Sequence, residues 1–212
     1  MSGNAERLST TVKGMLNKIK IIQAATNNIA NVNTVGYKRE IPETVNFKSV
    51  MNELALKDNT QGSLTKTGNQ LDIAIEGNAY FLIESKDGLL TTRNGRLKLN
   101  EKGLLSTEEG NEVVIIEKTD KPISLAKSNN IEINQTGEFF VDGERYGRIA
   151  LKILDNNPVK IVQGHLEGSN INMITEMSSL LMAFRSFEAS EKTLGMEAAI
   201  DKELIEKYGR NV

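Results

Sequence analysis

Residues 8–29, LSTTVKGMLNKIKIIQAATNNI, contain a regular apolar pattern on which the architecture of the chain depends. Seven positions in it, all but one apolar, recur at alternating spacings of four and three residues: Leu8, Val12, Met15, Ile19, Ile22, Thr26 and Ile29. This is the repeat of a helix that packs a narrow apolar seam against another helix. We therefore expect a long N-terminal helix with a helical partner elsewhere in the chain.

The same rhythm returns at the other end of the chain. Its positions are Met173, Met177, Leu180, Phe184, Phe187, Glu191, Leu194 and Ala198. Residues 1–39 carry a net charge of plus five and residues 165–212 a net charge of minus three, which favours pairing of the two ends. Each exposed ion pair contributes only about 0.2–1 kcal/mol. The alternative interpretation is two ordinary surface helices that pack on a globular core.

The first helix is followed by an amide-rich segment and a polar connector. Asn27, Asn28, Asn31 and Asn33 lie near its end, and Gly36 is a plausible terminator because glycine accepts the left-handed cap conformation. The amides can bond a neighbouring chain or cap their own last turn. Residues 37–60 read as a connector, with a short helix over 47–56.

Between residues 61 and 164 the apolar period changes from helical to two. Short apolar segments are predicted as strands at 71–76, 80–84, 89–92, 96–99, 113–117, 131–134, 138–141 and 149–154. Turn chemistry rich in Gly and Asn separates them. The predicted fold class is therefore α+β: a discontinuous, coiled-coil-like pair of terminal helices (1–36 with 165–212) and, inserted between them after the connector, an all-β, hairpin-rich domain (61–164).

Composition narrows the possible functions of the 212 residues. Cysteine is absent and His165 is the one histidine, which removes thiolate metal sites and most metal or triad chemistry. A net charge of minus two, without a basic stripe, argues against nucleic-acid binding. The first fifteen residues hold charged side chains and no apolar core of a secretory signal, and no apolar run is long enough to span a bilayer. We expect no catalytic residue, cofactor or metal ion.

Three stretches of the sequence form recognisable motifs: ATNNIANVNTVGYKR (25–39), GSLTKTGNQLDIAIEGNAYF (62–81) and QGHLEGSNIN (163–172), the last followed by Glu176-Met177 and by Arg185-Ser186-Phe187-Glu188. They resemble the signatures of the bacterial flagellar rod and hook family, and they occur in that family's order. Ala79 and Tyr80 stand where the family usually has Gly-Phe. The chain length suits the proximal-rod subfamily better than the distal rod or the longer hook proteins.

The resemblance implies a structural axial subunit of the flagellar basal body. Such a subunit is exported through the flagellar secretion apparatus without a cleaved signal and stacks helically in the periplasm into a hollow drive shaft. The implied partners are other rod subunits, further copies of the chain and the export apparatus. The residues expected to form the helix seam and to act in assembly are those of the first helix, which would face those of the last: Leu8, Val12, Met15, Ile19, Ile22 and Ile29 against Met177, Leu180, Phe184, Phe187 and Leu194. Neighbours would contact the turn Asn27, Asn28, Asn31, Asn33, Thr34, Gly36, Tyr37 and Lys38.

Two other classes of protein stay open on the residues alone. A coiled-coil adaptor with a β recognition domain would share the architecture but would not explain three motifs in family order. A carbohydrate hydrolase on a β fold would need two close carboxylates in a cleft, and no residue pattern indicates such a pair.

Overall fold

Two long helices occupy the two ends of the chain in the computed structural model, which describes residues 2–42, 56–117 and 130–208. Helix α1 spans Ser2–Ala30 and helix α2 spans Met173–Tyr208. Many short antiparallel strands lie between them in sequence. This arrangement confirms the predicted α+β class with terminal helices. Helix α1 ends six residues before Gly36, and most of the predicted helix over 47–56 lies outside the described residues.

The chain divides into two compact units. The first contains α1, α2 and the two-stranded pair β1 (Glu40–Ile41) and β2 (Leu56–Lys57). The second contains Asn31–Arg39 and Asp58–Ile171. Residues 31–39 and 165–171, which the sequence assigned in part to the helical stalk, therefore belong to the unit that holds the other strands.

The second unit is built from antiparallel strands. Its strands are β3 Leu64–Lys66, β4 Ile73–Glu76, β5 Ala79–Ser85, β6 Gly88–Thr92, β7 Leu97–Leu99, β8 Leu105–Thr107, β9 Glu112–Val113, β10 Ile115–Ile116, β11 Ile131–Ile133, β12 Glu138–Val141, β13 Glu144–Ile149, β14 Leu151–Ile153, β15 Lys160–Gln163 and β16 His165–Glu167. One sheet has the order β14-β5-β9-β8-β7, with β6 also on β5, and a second has the order β10-β13-β12-β11. Strand β15 pairs with β4, and β16 pairs with β3.

Two hairpin turns of the second unit repeat one construction. The side-chain Oδ1 of Asn100 accepts hydrogen bonds from the backbone N–H groups of Lys102 (3.0 Å) and Leu104 (2.9 Å). Asn134 does the same with Thr136 (3.1 Å) and Glu138 (2.8 Å). These asparagine side chains satisfy backbone donors that the turn leaves unpaired, which is why Asn recurs before the glycines that punctuate this region.

One apolar core holds the second unit together. Phe81 and Phe139 are fully buried, and the ring of Phe139 packs edge-on against Tyr146 with centroids 5.3 Å apart. Ile73 and Ile75 on β4 are buried as well. Burial of each large apolar side chain contributes roughly 1.5–3 kcal/mol. These core side chains all lie on strands of the second unit.

Candidate functional site

The two terminal helices lie side by side and antiparallel in the first unit. Lys18 of α1 donates hydrogen bonds to the backbone oxygen of Ser186 (3.1 Å) and to the hydroxyl of Ser190 (2.5 Å). Ten residues further along α1, Asn28 reaches Glu176 near the start of α2. Higher residue numbers on α1 therefore contact lower residue numbers on α2, so the two helices run antiparallel. Coiled-coil packing in the strict sense stays a prediction.

Small and polar residues occupy much of the line along which the helices approach. Ala25 and Asn28 of α1 are buried, as are Glu176 and Ala183 of α2. A search of the sequence for large apolar residues does not predict that such positions face the partner helix. The large apolar residues of the predicted seams consequently lie beside this line.

The seam residues named from the sequence fall into two groups. Half-buried in the single chain are Met15, Ile22, Ile29, Leu180, Phe187 and Leu194. Exposed are Val12, Ile19, Met173, Met177 and Phe184. The side chain of Leu8 lies outside the described residues. The second group turns away from the partner helix because residues one position earlier, such as Glu176 and Ala183, take the inward positions. A role of either group in assembly stays a prediction.

Asn28 is the hydrogen-bonding centre of the helix pair. Its side-chain Nδ2 donates to Glu176 Oε2 at 3.1 Å and to the backbone oxygen of Glu40 at 3.0 Å. Its Oδ1 accepts from the backbone N–H of Glu40 at 2.8 Å. One buried amide therefore ties α1 to the edge of β1 and to the first turn of α2, where a carboxylate also suits the helix dipole.

The other residues of the predicted contact turn differ in environment. Asn27, Asn33 and Thr34 are exposed, whereas Asn31, Gly36 and Tyr37 are half-buried and Lys38 is buried. The Thr34 hydroxyl donates to Asn31 Oδ1 at 3.0 Å, which is a local bond within the turn. Contact of this turn with neighbouring chains stays a prediction.

A buried ion cluster in the second unit holds Lys38, the last residue of this turn. The Lys38 ammonium lies 2.7 Å from Glu167 Oε1 and 2.7 Å from the backbone oxygen of Thr60. Arg93 Nε lies 3.3 Å from the other oxygen, Glu167 Oε2. Gly62 donates its backbone N–H to Glu167 Oε1 at 2.9 Å. All three charged side chains are buried, so one carboxylate compensates two cations.

The backbone of Gly36 closes the cluster from the N-terminal side. Its N–H donates to the backbone oxygen of Glu167 at 2.7 Å. A Cβ at this position would lie 2.4 Å from the carbonyl carbon of Arg93, and φ is +68°. A side chain is thus excluded both by space and by backbone conformation. Gly36 is required for the approach of two backbone segments, in addition to any role after a helix end.

Burial dominates the electrostatics of the cluster. It lowers the pKa of Lys38 below its ordinary value, and the hydrogen bond and charge of Glu167 offset only part of that effect. Burial lowers the pKa of Arg93 in the same way. Buried charges of this kind hold structure in place only while every partner is present. The arrangement supplies fixed geometry and does not offer a group in a cleft for chemistry.

Asn170 fastens the remaining connecting segments within the second unit. Its Oδ1 accepts from the backbone N–H of Arg39 at 2.8 Å. Its Nδ2 donates to the backbone oxygens of Asp58 (2.8 Å) and Thr60 (3.0 Å). Glu167 and Asn170 lie in the third quoted motif, yet from residue type alone neither was identified as the centre of a hydrogen-bonded cluster. Arg93 carried no sequence signal beyond its place in a turn.

The histidine and the acidic side chains are the groups through which a metal site or other chemistry would act. His165 lies on β16 with its Nδ1 2.9 Å from the backbone oxygen of Gln163. Within 2–42, 56–117 and 130–208, no three His, Asp or Glu side chains are grouped to hold a metal ion. Neither helix, over its described length, combines the length and apolarity that crossing a bilayer requires.

Comparison with known proteins places the three motifs in one family. Residues 18–38 match the family model "Flagella basal body rod protein". Residues 74–141 match "Flagellar hook protein FlgE/F/G D1 domain", and residues 162–206 match "Flagellar basal body rod FlgEFG protein C-terminal". The first match contains Asn28 and Lys38, and the last contains Glu167 and Glu176.

Whole-chain relatives agree with these matches. The flagellar basal-body rod protein FlgF of Rhizobium meliloti is 31% identical over 90% of this chain and 92% of its own length. FlgF of Mesorhizobium japonicum is 29% identical over 89% and 91%. The flagellar basal-body rod protein FlgG of Agrobacterium fabrum is 28% identical over 88% and 93%. The chain therefore belongs to the flagellar basal-body rod protein family.

Proposed function

We propose that this chain is a structural axial subunit of the flagellar basal-body rod that polymerises helically into the drive shaft around the export channel. The observation that carries the proposal is the pair of long helices from opposite ends of the chain, whose outward faces still expose large apolar side chains. Leu16 and Leu181 are 52% and 60% exposed. Apolar area of this kind on a structural protein marks contact with other subunits.

The mechanism requires one surface to bind a different surface on the next copy. Such a heterologous contact extends as an open helix when its rotation does not close a ring. Many equivalent contacts in parallel would then carry torque, so rigidity of each subunit is the functional property. The Asn28 hydrogen bonds and the Glu167 ion cluster supply rigidity within the two units.

The partners we propose are further copies of the chain, other rod subunits and the flagellar export apparatus. We place the subunit in the periplasmic rod. A proximal position suits the chain length, and a distal-rod subunit of the same family is the alternative.

A charge at Ile19 tests the proposal. Ile19 is exposed in the single chain, so Ile19→Asp should leave the fold intact while placing an unpaired charge in a subunit contact. We expect Ile19→Asp to be absent from isolated basal bodies and to abolish swimming. Ile19→Val is the matched control and should incorporate normally. Normal incorporation and swimming with Ile19→Asp would refute the role of this face.

A further inference from the structure

The segment of α2 that follows Glu176 carries large apolar side chains on opposite sides. Residues 177–184 read MSSLLMAF and contain no charged side chain. Ala183 is buried toward α1, whereas Leu181 and Met182 point outward and are 60% and 71% exposed. A helix segment with apolar side chains on opposite sides is buried on both sides in its working state. The outward side of this segment is exposed in the single chain, although its apolar composition predicts that another surface packs on it.

Helix α1 carries an outward stripe of matching design. Val12, Leu16 and Ile19 are exposed at successive spacings of four and three residues. On α2 the exposed residues Met177, Leu181 and Phe184 follow the same spacings. Each stripe spans about 10 Å at a rise of 1.5 Å per residue. We call these the α1 stripe and the α2 stripe.

Charge favours contact between unlike stripes. Over its full span α1 has a net charge of plus three, and α2 has a net charge of minus three. The exposed Lys13 and Lys20 flank the α1 stripe. The α2 stripe runs on into the exposed Glu188 and Glu191, and the exposed Arg185 and Lys192 lie beside them, so the acidic excess belongs to α2 as a whole. Two α2 helices side by side would carry like net charge, and so would two α1 helices, whereas α1 against α2 is attractive.

We propose that the α2 stripe of one copy binds the α1 stripe of a second copy. The inference rests on the proposed function and adds which faces meet. It repeats outside the chain the α1–α2 pairing that already exists within it, with the large apolar residues replacing the small and polar ones of the inner line. Each copy carries one stripe of each kind, so the contact leaves a free stripe at either end and continues along an assembly.

Disulfide cross-linking tests the pairing, and the chain suits it because it contains no cysteine. Two differently tagged variants, Leu16→Cys and Leu181→Cys, would be co-expressed in flagellated cells that lack the untagged copy. After mild oxidation, isolated basal bodies should contain a dimer that carries both tags. Bond formation requires Cβ atoms about 3.5–4.5 Å apart, so it reports direct contact. Val12→Cys and Ile19→Cys in place of Leu16→Cys allow for a shift of one turn.

Thr193→Cys is the matched control, since it is exposed on α2 three turns beyond Leu181 and off the stripe. It should cross-link to none of the α1 variants. A dimer of Leu181→Cys with itself would overturn the proposal. So would incorporation of the variants without any mixed dimer, and in that case the proposed rod function would stand. Absence of the wild-type chain from basal bodies would instead refute the proposed function.

A second pair of variants tests the α2 stripe if the cysteine variants incorporate poorly into basal bodies. Leu181→Asp should reduce incorporation at least tenfold, while purified Leu181→Asp keeps wild-type helical circular dichroism because the residue is largely exposed. Leu181→Met keeps volume and apolarity and should incorporate as wild type. Wild-type incorporation of Leu181→Asp would contradict the assignment of this stripe.

Discussion

Replacing Glu167 by glutamine should destabilise the second unit more than removing either cation of its ion cluster. The carboxylate compensates two buried cations, Lys38 at 2.7 Å and Arg93 at 3.3 Å. Glutamine keeps the shape of the side chain but removes its charge. Its amide N–H group would face either the Lys38 ammonium or the Arg93 guanidinium, and both of these are donors as well. Loss of one member of a buried charge group costs about 3–5 kcal/mol, because uncompensated charge stays buried.

Lys38→Met provides the comparison. It removes the bonds of the ammonium to Glu167 and to the Thr60 oxygen, but it leaves Glu167 and Arg93 as a neutral pair. It also removes the desolvation cost of a buried ammonium, which is the cost that lowers the pKa of Lys38. Lost hydrogen bonds to charged groups cost about 1.5–3 kcal/mol each, so with that relief we expect a net loss near the lower end of this range. Glu167→Gln should thus be the less stable variant by about 2 kcal/mol.

Urea unfolding followed by tyrosine fluorescence would measure both variants. The chain has no tryptophan, and three of its four tyrosines, Tyr37, Tyr80 and Tyr146, lie in the second unit. At an m-value of about 2 kcal/mol per molar, a loss of 4 kcal/mol moves the urea midpoint by about 2 M. The exposed Glu109→Gln should stay within about 0.5 kcal/mol of wild type. Equal midpoints for Lys38→Met and Glu167→Gln, or a loss below about 1 kcal/mol for Glu167→Gln, would refute the charge argument.

Three further outcomes follow from single sites. Gly14→Ala should raise the free energy of unfolding of α1 by about 1 kcal/mol, since a Cβ there meets no atom within 4 Å, and thermal unfolding measures it. Gly95→Ala should cost at least about 3 kcal/mol in urea unfolding, because its Cβ would lie 1.6 Å from the backbone oxygen of Ile73. The hydrogen bond from the Thr60 backbone N–H lowers the pKa of Asp58, so its contribution to stability is present above about pH 4 and is lost as the pH falls through the lowered pKa. Stability curves should therefore be flatter below pH 4 for Asp58→Asn than for wild type; a parallel curve would contradict this.

The sequence predicted the elements that have a strong period. The helices at both ends and strands such as β5, β6 and β12 lie close to the predicted positions. Strands β3, β8 and β16 were missed because each has three residues and too few apolar positions to show alternation. Strand β13 was missed because ERYGRI interrupts its apolar residues with charge.

The internal connections could be predicted less well. The 3.5-residue repeat identified both helices, but Asn28 and Glu176 take inward positions that an apolar pattern assigns to neighbours. The cluster of Lys38, Arg93 and Glu167 joins residues up to 129 positions apart, and a single sequence does not show which distant charges meet. Gly14 illustrates a further limit. A glycine inside each of two paired helices can indicate that the helices approach closely, yet a Cβ at Gly14 or at Gly195 would meet nothing within 4 Å.

An axial rod subunit must lie in the rod itself, so the position of this chain along the basal body is the decisive measurement. Intact basal bodies would be isolated from cells that express a tagged copy, and the label would be imaged along the shaft. We expect label in the rod, toward its membrane-proximal end. Label confined to the cytoplasm, with normal basal bodies, would contradict it.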